Sequence, residues 1–362
     1  MKLFECQHCH RAVYFDNTAC LSCGHRLGYV AQRSVMATLE PDGDLWRALA
    51  EPEVYRFCAN AGQGVCNWLV PQSSADELCE ACRHNATLPD LSNPDNLARW
   101  RKLEAAKHHL FYSLILWRLP RTDRTQDPEN GLAFEFLAEG QTADGTPIPV
   151  LTGHSGGLIT LNVAEADDPE REARRTQLHE TYRTLLGHFR HEIGHYYWDC
   201  LVRDSEHLAR FHELFGDETR DYGEALKAHY EAGAPVGWEQ SYITPYAAAH
   251  PWEDFAECWA HYMHIVDSLE TAGSFGVRIR PRAGEADDLD ARIDFNPYRT
   301  TLTKLIEAWV PVTLAVNSLN RSMGQPDLYP FVLSNPVVTK MGFIHDLVQA
   351  CATGENASTK LG

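Results

Sequence analysis

The sequence has no run of eighteen or more apolar residues, so no membrane-crossing helix is expected. It is also short of positive charge. Lys and Arg number 32 against 50 Asp and Glu, a formal net charge of -18 with a pI near 5.4. So acidic a balance argues against a broad footprint for nucleic acid or an anionic membrane, leaving room only for a small local basic patch. The N-terminus, Met1-Lys2-Leu3-Phe4-Glu5-Cys6, lacks the charged-then-apolar layout of a secretory leader. A cytoplasmic location is therefore expected. There, the 11 cysteines are expected as metal ligands or buried thiols rather than disulfides. Internal repeats are lacking too, apart from two Cys-rich units.

What is present is the composition of a globular protein. The 362 residues are 44% hydrophobic and 23% charged, with room for two or three domains. Cys6-x-x-Cys9 and Cys20-x-x-Cys23 are two tight turns whose thiolates converge on one tetrahedral ion, the pattern of a zinc ribbon. Gly24 suits the turn of the second pair. His8, His10 and His25 stand nearby, but four cysteines fill the shell. A second quartet follows in Cys58, Cys66, Cys79 and Cys82. The stretch from Val30 to Leu91 has too little apolar sequence for a conventional core, and a metal is expected to tie it together. Both quartets read as structural, since four thiolates leave no open position. The segment from Gln63 to Asp90 carries more acid than base, which favours scaffolding or contact with a protein partner over nucleic acid. The expected division is a first ribbon over 1–30, a second four-cysteine unit over 31–92 and a larger domain over 93–362.

Ser92, Asn93 and Pro94 mark the start of a helix predicted over Asp95 to Leu119 and ended by Pro120. Three strands are predicted at Leu132–Leu137, Pro147–Leu151 and Leu158–Val163. Leu158–Val163 is the candidate edge strand for pairing with extended substrate, against the alternative of an inner strand. Asp167-Asp168-Pro169-Glu170 starts a helical pattern whose apolar stripe is Leu178, Tyr182, Leu185, Leu186, Phe189, Ile193 and Tyr197. Further helices are expected over Leu208–Phe215, Glu218–Glu231, from Pro251, over Pro297–Met323 with Pro311 inside, and over Asn335–Cys351. Arg278–Asp294 reads as an exposed loop and 354–362 as a frayed tail. Cys200, Cys258 and Cys351 read as buried thiols.

Within the stripe lies His191-Glu192-Ile193-Gly194-His195, an H-E-x-x-H motif. Histidines four apart share a helix face and can both point at one metal ion, with Glu192 beside them as a base toward water. The motif alone is weak in a chain with 18 histidines, where two surface histidines on an amphipathic helix would look the same. The Pro251 helix adds weight. Glu253, Glu257, His261 and His264 form a polar stripe on one face, with Trp252, Phe255, Trp259 and Met263 on the other. Such a stripe is costly to bury without a partner, and zinc is a good one. Asp199 continues the four-residue step after His195 but lies about 12 Å of helix beyond His191. It is read as a supporting or capping group.

These pieces together resemble a bacterial family of zinc-binding metallopeptidases with an N-terminal zinc-ribbon domain. The resemblance is carried by Cys6-Gln7-His8-Cys9, Tyr55-Arg56-Phe57-Cys58, Val65-Cys66-Asn67-Trp68-Leu69-Val70-Pro71, Phe189 to Trp198 and Trp252-Glu253-Asp254-Phe255-Ala256-Glu257. It implies an α+β protein: an N-terminal four-cysteine zinc-ribbon module followed by a mostly helical, zincin-like (gluzincin-like) metallopeptidase domain with a small β-sheet. The helix around Glu253 is also similar to the third-ligand helix of the anthrax lethal factor peptidase domain. By that likeness His191, His195 and Glu253 hold a catalytic zinc, and Glu257 hydrogen-bonds a ligating histidine or is the alternative ligand. Tyr246, seven residues before Glu253, assists the transition state. The expectation is a zinc peptidase with Glu192 as general base, holding one catalytic and two structural Zn2+ and acting on a peptide or protein. The rival is a zinc-stabilised adaptor protein whose H-E-x-x-H site is structural or silent.

Overall fold

The computed structural model describes all residues except 142, 143, 145, 178–183, 283–288 and 354–362. The chain divides into two compact units. One is built on Lys2–Arg174 with Thr184–Phe189, the other chiefly on residues from Arg190 onward.

The first unit begins with short strands and metal-type turns. β1 (Phe4–Glu5) pairs antiparallel with β2 (Ala12–Val13) around the first Cys turn. In the second turn Gly24 has φ +78°, a left-handed conformation in which a side chain would be strained, and its N–H donates to the Cys20 carbonyl at 2.8 Å. An antiparallel meander follows: β3 (Arg26–Val30), β4 (Val35–Asp42), β5 (Leu45–Ala48), β6 (Val54–Phe57) and β7 (Leu69–Pro71). This sheet runs across residue 30. It has its own apolar cluster of Val30, Ala37, Leu39, Ala48, Tyr55 and Leu69, with Trp46 and Phe57 packed against it. The expectation of too little apolar sequence after Val30 is therefore corrected. Alternating residues of short twisted strands supply a small core beside the cysteines.

β8 (Asn85–Thr87) leads into α1 (Pro94–Trp117). Asn93 caps α1 by accepting from Asp95 N at 3.0 Å, and Pro94 stands in the first turn, as the sequence predicts. Trp100, Leu103, Leu110, Phe111, Leu114 and Trp117 are all fully buried. Tyr112 of α1 joins an aromatic cluster with Phe15 and Tyr29 of the Cys-rich region.

β9 (Ala133–Leu137) follows, then the small pair β10 (Gly140–Gln141) and β11 (Pro147–Ile148), then β12 (Gly153–Ser155) and β13 (Leu158–Asn162). The sheet order is β12-β13-β9-β8, with β13 parallel to β9 and antiparallel to β12. β13 is thus an inner strand, paired on both sides, and not the free edge considered for substrate. Its Ile159 and Leu161 are fully buried. α2 (Asp168–Gln177) and α3 (Leu185–Leu201) fall within the predicted helical stretch; residues 178–183, with Leu178 and Tyr182 of the predicted stripe, lie outside the described residues.

The second unit is mostly helical. α4 (Leu208–Phe215) precedes α5 (Tyr222–Ala232), which starts later than predicted because Asp221 caps it by accepting from Glu224 N. α6 (Pro251–Ser274) packs on α4, on α7 (Leu302–Ser322) and on α8 (Asn335–Thr353). Between α6 and α7 the ends of the predicted loop form a pair, β14 (Arg278–Ile279) with β15 (Ala291–Arg292), and Ala291 and Ile293 are buried; residues 283–288 between them lie outside the described residues. The predicted Pro297 helix opens as a short 3-10 turn, and Thr301 then caps α7, which runs through Pro311. Of the three cysteines outside the quartets, Cys258 is buried, whereas Cys200 and Cys351 are half-buried. The predicted tail, 354–362, lies outside the described residues.

Candidate metal centre

The geometry of the second unit's site starts with a glycine. A Cβ on Gly194 would stand 3.0 Å from Ala256 Cα and 3.2 Å from Trp259 Cβ. Any larger residue here would crowd α6 more tightly than ordinary van der Waals contact. One turn further, Tyr197 stacks on Trp259 with ring centroids 4.9 Å apart. The close crossing sets His191 and His195 against the first turn of α6, which carries Glu253.

His191 Nε2 lies 3.0 Å from Glu253 Oε2, His195 Nε2 lies 3.6 Å from the same oxygen, and the two nitrogens are 3.2 Å apart. Donors 2.0–2.1 Å from a tetrahedral zinc stand about 3.4 Å from one another. The triangle has that size. Glu253 is 1% exposed, and its Oε2 is buried without a hydrogen-bond partner. Such an orphaned carboxylate oxygen, facing two imidazoles, fits a cation with one position left open.

The other carboxylate oxygen, Oε1, accepts from the Tyr222 hydroxyl at 2.6 Å. Burial alone would push the Glu253 carboxyl up, but the charges of His195 and His191 outweigh it and hold it well below the usual range. Burial likewise disfavours charge on His191, yet the Glu253 and Glu257 carboxylates beside it raise it well above its ordinary value. Glu257 Oε1 sits 2.7 Å from His191 Nδ1, one turn along α6 from Glu253.

The start of α6 is fixed from three sides. His250 Nδ1 accepts from Trp252 N at 3.2 Å, and its Nε2 donates to Arg220 O at 3.2 Å. Asp254 forms a buried ion pair with Lys340 of α8 at 2.5 Å, and Lys340 also donates to Ser241 O. The first-turn acids Glu253 and Asp254 sit where the helix dipole favours negative charge.

Glu192 is 9% exposed and follows His191 directly. Tyr246, in the turn Tyr246–Ala248 against α6, places its ring 5.9 Å from that of His191. Burial and then the Glu253 charge raise the phenols of Tyr222 and Tyr246 far above their ordinary value, so both stay protonated donors. His261 and His264, predicted on the same stripe, are engaged elsewhere. His261 Nδ1 meets the Tyr329 hydroxyl at 2.8 Å, and His264 Nδ1 meets Arg190 at 2.5 Å. Asp199 pairs with Arg203 one turn on.

In the first unit both cysteine quartets converge. Cys6 to Cys23 and Cys9 to Cys20 are each 3.6 Å between sulfurs, and Cys66 to Cys79 is 3.7 Å. These are far from the bonded length of about 2.05 Å in a disulfide. They approach the roughly 3.8 Å expected between thiolates on one tetrahedral zinc. Burial and the neighbouring thiols push Cys66 far above its ordinary value, so four thiolates there call for a cation. Two groups escaped the sequence reading, Tyr222 and His108, the latter lying 3.4 Å from Cys66 Sγ. Neither carries a local signal, because each meets its partner across many residues of chain.

Comparison with known proteins gives the family of the chain. A family model described as "Putative zinc-binding metallo-peptidase" matches residues 96–347, and a zinc-ribbon domain model matches 3–93. The chain belongs to this metallo-peptidase family. It is similar to uncharacterized proteins of Mycobacterium bovis and Mycobacterium tuberculosis, 42% identical over 353 residues, covering 97% of this chain and 96% of each relative. No solved structure matches it. No helix among the described residues is long and apolar enough to cross a membrane.

Proposed function

We propose that the chain is a zinc-dependent peptidase, acting in the cytoplasm on a peptide or protein. The observation that carries this is the buried, unpartnered Glu253 oxygen facing two imidazole nitrogens. His191, His195 and Glu253 hold the ion; bound there, zinc acidifies water and polarises a carbonyl. Glu192 takes the proton of the attacking water on its carboxylate and delivers it to the leaving amine. Tyr246 donates its hydroxyl to the developing oxyanion. Glu257 keeps His191 in place through Nδ1, and Tyr222 does the same for Glu253. Two further zinc ions are structural, one on Cys6, Cys9, Cys20 and Cys23 within 1–30, the other on Cys58, Cys66, Cys79 and Cys82 within 31–92.

Glu192→Gln should retain all zinc and lose hydrolysis of a peptide library by about 100-fold or more. Full activity in that variant would remove the peptidase reading. Metal analysis should find three zinc ions per chain, falling by one in His191→Ala. Two ions, unchanged by that substitution, would favour the adaptor reading.

A further inference from the structure

The second cysteine quartet has a fifth polar group against it. His108 lies on α1, well outside the cysteine turns, and is 4% exposed. Its Nε2 stands 3.4 Å from Cys66 Sγ and 3.6 Å from Cys82 Sγ. It thus faces the edge between two thiolates rather than one sulfur.

The two quartets differ in their surroundings. In the first, Cys9 and Cys23 are half-buried and water can share their charge. In the second, all four cysteines are buried. A divalent ion with four thiolates carries a double negative charge, which is costly to bury without hydrogen-bond donors. Backbone N–H groups serve three of the sulfurs. Trp68 N is 3.3 Å from Cys66 Sγ, Cys79 N is 3.3 Å from Cys58 Sγ, and Cys82 N is 3.5 Å from Cys79 Sγ. The Cys82 sulfur is met by His108. On the far side of the ring, Nδ1 is 4.0 Å from Glu104 Oε2, and that oxygen is 3.9 Å from Cys82 Sγ. Glu104 is itself fixed by Lys107 at 2.9 Å, Trp100 Nε1 at 3.1 Å and Asn85 Nδ2 at 2.5 Å. The His108 ring also packs on Trp68, with centroids 5.0 Å apart.

We propose that His108 belongs to the second metal centre: its Nε2–H donates to the thiolates of Cys66 and Cys82, so the ion and α1 hold each other in place. The ribbon's second ion is then completed by a helix beyond the ribbon. His108 is a positioning residue that acts through the sulfurs and does not touch the metal. This rests on the reading that the quartet binds zinc, and is independent of peptidase activity.

The test uses the full chain, with each ion followed by cadmium-113 resonance after exchange and by zinc release to a chromogenic chelator. In His108→Ala, one of the two all-sulfur resonances should shift and its ion should be released about tenfold faster or more. The first quartet should be unchanged, reporting an intact fold. His108→Gln, which keeps an N–H donor, should restore much of the retention. Equal release in wild type and His108→Ala, with both ions bound, overturns the proposal. So does a wild-type resonance showing three sulfurs and one nitrogen, which makes His108 a ligand. An absence of any ion at the second quartet would instead overturn the metal assignment on which the proposal rests.

Discussion

Tyr222 shows what a single hydroxyl does here. It donates to the Glu253 oxygen other than the one facing the histidines, so it fixes the carboxylate's rotation with Oε2 turned toward His191 and His195. Tyr222→Phe removes the bond with little change of shape. The expected outcome is a roughly tenfold weaker hold on the zinc lost in His191→Ala, with the two cysteine-bound ions unaffected. Competition with a graded chelator series checks this; an unchanged affinity would show that α6 alone positions Glu253. The motif residues were legible in the sequence because H-E-x-x-H encodes its geometry locally, through the four-residue helical repeat. The Cys-x-x-Cys pairs were legible because a tight turn sets their spacing. Tyr222 and His108 were not, since a hydroxyl on α5 or an imidazole on α1 looks like any other surface or core residue until the helices are placed.

At the scale of elements, the site depends on how closely α3 approaches α6. The atoms that a Cβ at Gly194 would meet, at 3.0 and 3.2 Å, belong to a helix backbone and to the root of a tryptophan, neither of which can swing aside. Gly194→Val should therefore cost about 1–3 kcal/mol by overpacking. It should also separate His191 and His195 from Glu253, so metal content should fall by one ion even where the fold survives. Thermal melts together with metal counts test this, and a variant with normal zinc would show that the helices have slack. Strand order, by contrast, was not legible. Leu158–Val163 has the alternation of a half-buried strand, which suits an edge or an interior place equally. Only its pairing with both β9 and β12 decides the matter. Likewise the small core of the Cys-rich region is spread over five strands, each adding only one or two residues to it.

For the molecule as a whole, buried histidines set a pH dependence. His261 is 4% exposed; burial, with Glu257 opposing and His191 assisting, brings it down to about 4 from 6.5. Between those values the unfolded chain binds a proton that the folded chain refuses. Its contribution to stability is therefore complete above 6.5 and is lost as pH falls toward 4. The loss amounts to about 3 kcal/mol at most. Denaturant unfolding at about pH 5 and about pH 7.5 should show a larger drop for the wild type than for His261→Gln. Equal drops would mean that other groups dominate.

The fixing of α6 at its first turn also has a kinetic meaning. Helix ends open more readily than helix middles, and Glu253 sits on the third residue of its helix. An ion held there can leave by fraying of one turn, without global unfolding. The groups that resist fraying are His250 at the cap and Lys340, which clasps the neighbouring Asp254 from α8. On the proposed reading, the residence time of an ion there would depend in part on a lysine that never meets it, and weakening that clasp would speed metal exchange while leaving the coordinating side chains as they are.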